Sequence, residues 1–122
     1  MTYVAISLGA ILGANARFLL GGWILERFGP GFPLGTLVIN VTGSFVIGVV
    51  YVMLERHAAP DWVRPLVMIG FLGAYTTFST FSYETLSLVN AGSVAAAAAN
   101  IGVSVAGAMI AVYLGTVVGR LV

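Results

Sequence analysis

Hydrophobic residues fill the chain in four long runs, separated by short clusters of polar, glycine or proline positions. The runs cover about residues 3–28, 34–54, 62–90 and 93–118. An α-helix needs ~20 apolar residues to cross hydrocarbon, so the pattern predicts four transmembrane helices. The separator Glu26-Arg27-Phe28-Gly29-Pro30-Gly31-Phe32-Pro33 carries two prolines and two glycines and breaks any helix. The third run is irregular in its middle. There Gly73-Ala74-Tyr75-Thr76-Thr77-Phe78-Ser79-Thr80-Phe81 sets a glycine, four serine and threonine hydroxyls and two phenylalanines three apart. Glycine weakens a helix, and adjacent threonines offer the backbone competing hydrogen bonds. The expected break spans Gly73 to Thr77 and leaves two half-helices. At membrane depth a break is tolerated only where its freed groups face protein, water or an ion. Such breaks form ion and substrate sites near the midplane of transporters.

The polar positions inside the spans fall on faces. Gly9, Gly13, Arg17 and Gly21 recur every four residues, and Gly9–Gly13 is a GxxxG contact motif. Arg17 has two readings, snorkelling toward an interface or a charge in a water-filled vestibule. Thr36, Asn40, Gly43 and Ser44 share a face of the second span. Asn40 reads either as polar glue between helices or as an amide donor facing a pore. Glu84 follows Phe81 by about a turn and is expected at a polar opening. In the fourth span Asn100 and Ser104 share a row with Ala108, and Gly115–Gly119 repeats the GxxxG spacing.

Composition narrows the class. The chain has 122 residues, 60% hydrophobic and 7% charged, with a mean hydropathy of +1.07. Soluble domains carry roughly 25% charged residues, so this is an all-α integral membrane protein, read as one domain over residues 1–122. The N-terminus lacks the basic region of a secretory signal. Cysteine is absent, which excludes disulfides and thiolate chemistry. His57 is the only histidine and sits in the polar segment 55–61, which argues against a histidine metal or catalytic centre. A net charge of +1 argues against a nucleic-acid partner. With four spans, Arg56, Arg64 and Arg120 lie on one side and Arg27 on the other. So weak a bias suggests insertion in both orientations, with opposed copies paired about a twofold axis in the membrane plane.

These residues suit an anion. Thr36, Asn40, Ser44, Thr76, Thr77, Ser79, Thr80, Asn100 and Ser104 supply neutral donors within the spans. Benzene rings are positive at their edges, so Phe78 and Phe81 can offer ring edges to a small anion, although helical spacing alone also describes ordinary packing. Carbonyls released at the break point instead toward a cation, and Gly73 and Thr76 are placed to supply them.

The chain also resembles the Fluc (CrcB-like) fluoride channel family along essentially its whole length. The matching stretches are Gly13-Ala14-Asn15-Ala16-Arg17-Phe18, residues 33–45 (PLGTLVINVTGSF) and residues 70–85 (GFLGAYTTFSTFSYET). The resemblance implies an antiparallel, dual-topology homodimer in the bacterial plasma (inner) membrane, with two pores that export fluoride passively. It implies pore roles for Phe78, Phe81, Asn40, Thr36, Ser79, Thr80 and Ser104, and a vestibule arginine in Arg17. It further implies a structural sodium ion held by the backbone carbonyls of Gly73 and Thr76. Asn100 stands where some relatives have tyrosine, and Ala108 where some have serine.

Two other classes fit a short four-span chain. A small dual-topology multidrug exporter would resemble its family in having a first-span glutamate; this span has Arg17 inside and Glu26 only at its end. A non-transporting assembly subunit would not need donors on several spans beside a broken helix.

Overall fold

A computed structural model describes residues 1–122 and consists of helices joined by short loops. Helix α1 is Thr2–Phe28 and α2 is Leu34–Arg56. Gly29 closes α1 at φ 77°, a backbone conformation open to glycine and strained for other residues. Helix α3 begins as a π-helical stretch, Pro65–Leu72, and runs into one α-helical turn, Gly73–Tyr75. Helix α4 is Phe78–Asn90, and α5 is Val94–Leu121. Helices α1, α2 and α5 are each long and apolar enough to cross a membrane. Neither α3 nor α4 reaches that length alone.

The break is narrower than the sequence suggests. Gly73 is helical, with φ −64° and ψ −34°. Its N–H bonds the carbonyls of Gly70 and Met68, so its missing side chain is not enough to stop the helix. The chain leaves helical geometry at Thr76 (ψ 157°) and stays extended at Thr77 (φ −152°, ψ 120°). The threonines cause this. Thr76 Oγ1 donates to the Leu72 carbonyl at 2.9 Å, and the Thr77 N–H leaves the helix for a side chain on α2. Thr77 then caps α4 by accepting the Thr80 N–H.

Glycines build two close helix pairs. A Cβ on Gly9 would strike the Leu66 carbonyl, and one on Gly13 the Phe71 carbonyl, so α1 lies directly on the wide π-helical part of α3. The π form is invisible to a 3.6-residue reading of the sequence, and the GxxxG partner of α1 is this segment. On the other side, a Cβ on Gly115 would strike the Phe45 carbonyl and one on Gly48 the Val112 carbonyl. Helices α2 and α5 are therefore in backbone contact, and α4 rests on α5. Between Thr76 and Phe78 the chain passes from the α1 side to the α5 side.

Only 20 of 122 residues are buried, and large apolar side chains such as Phe18, Met109 and Tyr113 face outward. Such a surface matches lipid or a second apolar protein face, not water.

Candidate functional site

The site forms where α2 meets the break. Asn40 grips the Thr77 backbone from both sides. Its Nδ2 donates to the Thr77 carbonyl at 2.9 Å, and the Thr77 N–H donates to Asn40 Oδ1 at 2.8 Å. In a continuous helix that N–H would serve the Gly73 carbonyl. Likewise the Thr80 N–H, which would serve the Thr76 carbonyl, donates to Thr77 Oγ1 at 3.2 Å. The break thus diverts the helical donors of both carbonyls that the sequence singles out. Gly43 makes room beside it, since a Cβ there would overlap Thr76 Cγ2. Tyr75 anchors the end of α3 by stacking on Phe71 at 5.8 Å and by a 2.9 Å hydroxyl contact with Thr42.

Two cavities meet at Thr77, which lines both. The smaller, about 420 Å³, is a mostly apolar cleft that contains Asn40, Ser44, Gly73, Thr76, Phe78, Phe81 and Ser104. Phe78 and Phe81 sit side by side, with centroids 5.5 Å apart and planes inclined at 47°. They differ in setting: Phe81 is buried, while Phe78 is 78% exposed in the single chain. The larger cavity, about 710 Å³, holds Arg17, Thr36, Thr80 and Glu84. Glu84 accepts from Thr36 Oγ1 at 2.9 Å, and its other carboxyl oxygen is buried without a hydrogen-bond partner.

Most residues singled out in the sequence therefore converge, split between two cavities that share one wall. Ser79 and Asn100 are the exceptions. Asn100 lies buried behind Ser104. Ser79 lies exposed in the first turn of α4, 3.4 Å from Thr77 Oγ1, and borders neither cavity of the single chain. Three residues carry more of the site than the sequence reading assigned them. Thr77 is the shared wall and the cap of α4; a threonine directly before the second half-helix is the N-cap signal that marks it. Asn100 is 1% exposed and donates to Thr85 Oγ1 at 2.9 Å. Thr85 closes the matching stretch 70–85 but had no signal of its own, because its partner lies on another helix.

Long apolar helices, with polar groups converging at a break in mid-chain, define a polytopic membrane protein. Residues 4–116 match the family described as CrcB-like protein, Camphor Resistance (CrcB). The chain is 48% identical over 122 residues to a fluoride-specific ion channel FluC of Acidobacterium capsulatum, covering 98% of this chain and 97% of that one. It is 46% identical to the protein of that name from Magnetococcus marinus, covering 96% of each. A third, from an Anaeromyxobacter species, is 43% identical over 94% of this chain and 92% of its own length. The chain belongs to the CrcB-like family and is a multi-pass bacterial membrane protein.

Proposed function

We propose that this protein is a fluoride-selective channel that lets fluoride leave the cytoplasm by passive electrodiffusion. The observation that carries this reading is the cleft at the break. It combines neutral donors on α2, the Phe78–Phe81 pair and a mostly apolar lining. Fluoride entering such a space must exchange water for donors. The amide of Asn40 has a second N–H beyond the one given to Thr77, and Ser44 adds a hydroxyl. Ring edges of Phe78 and Phe81 add weak positive potential without a charge that would trap the ion. Arg17 in the larger cavity raises the local anion concentration, with Thr36, Thr80 and Glu84 beside it. In this reading α3 and α4 together make the fourth crossing.

The working unit is an antiparallel homodimer with two pores. The exposure of Phe78 and Gly73 in the single chain supports it, since both then face the second copy. A structural sodium ion fits the break, because the carbonyls of Gly73 and Thr76 have lost their helical donors and a hard cation prefers oxygen ligands. When bound, the ion would neutralise these dipoles and tie the two copies together. A multidrug exporter is disfavoured by the lack of an acid inside α1, where Glu26 sits exposed at the end.

The test is fluoride efflux from liposomes containing the purified protein, with chloride as the comparison ion. Fluoride release that chloride cannot match supports the reading. Equal release of both, or none from well-folded protein, refutes it.

A further inference from the structure

The hydrogen bonds between α4 and α5 form a chain with a fixed direction. Thr85 Oγ1 donates to the Phe81 carbonyl at 2.7 Å. With its only hydrogen engaged, the Thr85 oxygen can accept but not donate. Asn100 must therefore turn its Nδ2 toward Thr85, at 2.9 Å. Its Oδ1 then faces Ser104, and Ser104 has to be the donor, at 3.3 Å. The order of hydrogens is set by a backbone carbonyl and relayed through a nearly fully buried amide. As a result, Ser104 directs its hydrogen at Asn100, in the wall of the cleft it lines with Phe78 and Phe81.

We propose that Asn100 is a positioning residue that holds the Ser104 hydrogen away from the cleft. An anion there gains Ser104 as a donor only by drawing that hydrogen off Asn100 Oδ1. This rests on the reading of the cleft as the fluoride route. At 3.3 Å the Ser104–Asn100 bond is longer than the ~2.7–2.8 Å usual for a hydroxyl donor, so the hold is weak and tunes binding without blocking it. Thr85 and Asn100 thus tune anion binding in the cleft from outside it.

Thr85→Val tests the idea with less risk to folding than a change at buried Asn100. It removes the hydroxyl that orients the amide. Asn100 is then free to present Nδ2 to Ser104, and the Ser104 hydrogen is released. The half-saturating fluoride concentration for liposome efflux should fall roughly two- to threefold, the low end of the worth of one neutral hydrogen bond. Thr85→Ser keeps the lock and should match the parent. Ser104→Ala placed on Thr85→Val should erase the gain. A shift common to Thr85→Val and Thr85→Ser, or a gain that survives Ser104→Ala, overturns the proposal. Phe78→Ile separates the two levels. If it abolishes flux while Thr85→Val shifts nothing, the Asn100 relay alone fails. If Phe78→Ile conducts like the parent, the cleft is not the route and both readings fail.

Discussion

Replacing Asn40 with aspartate keeps size and shape but changes one atom of the clamp on the break. The oxygen that accepts the Thr77 N–H at 2.8 Å is retained, so the diversion of that N–H from Gly73 survives. The Nδ2 that donates to the Thr77 carbonyl at 2.9 Å becomes an oxygen, and with the carboxylate ionised two acceptors face each other with no hydrogen between them. Leaving a buried acceptor unsatisfied costs about 1–3 kcal/mol. At 1.4 kcal/mol per tenfold, the clamped arrangement loses roughly five- to a hundredfold in population. A carboxylate beside the anion route adds repulsion, so liposome fluoride efflux should fall at least about tenfold. Asn40→Ala differs in kind, because it also frees the Thr77 N–H, which becomes available to the Gly73 carbonyl. The assay is fluoride-electrode efflux from liposomes, with gel filtration to show that both variants keep the assembly of the parent. Asn40→Asp protein that conducts like the parent would refute a role for the amide in the passage and leave Asn40 as glue between helices.

Phe78→Ile and Phe81→Ile should each reduce efflux sharply by removing a ring edge, and undiminished flux in both sinks that role. Thermal unfolding should separate them, because Phe81 is buried within its own chain and Phe78 is not: Phe81→Ile is expected to lower the melting temperature more than Phe78→Ile. Gly115→Ala should cost about 1–3 kcal/mol by forcing α5 off the Phe45 carbonyl. Gly102→Ala, with no atom within 4 Å of the added carbon, should leave detergent stability intact or raise it. Replacing sodium with a large organic cation should weaken the assembly in crosslinking and abolish efflux; unchanged behaviour after exhaustive exchange argues against a bound ion at Gly73 and Thr76.

The class, the number of apolar runs and the place of the break were legible in the sequence, because each depends on local chemistry. A bilayer demands length and apolarity, and a Thr-Thr pair inside an apolar run offers the helix backbone competing hydrogen bonds. The face shared by Thr36, Asn40, Gly43 and Ser44 also follows from helical geometry, and in the structure these residues border the two cavities or pack against the break. Tertiary structure decided what these groups are bonded to. Gly73 stays helical because its N–H finds the carbonyls of Gly70 and Met68, so the break begins only at Thr76. The π form of Pro65–Leu72 is seen where glycines let α1 lie against its backbone, a contact between segments far apart in the chain. Asn40 could be read from sequence as glue or as donor, and only the position of Thr77 shows that the amide holds the break from both sides. The direction of the Thr85–Asn100–Ser104 chain is likewise absent from any spacing. A hydrogen-bond donor is known from its residue type, but where its hydrogen points is set by the neighbours that folding brings to it.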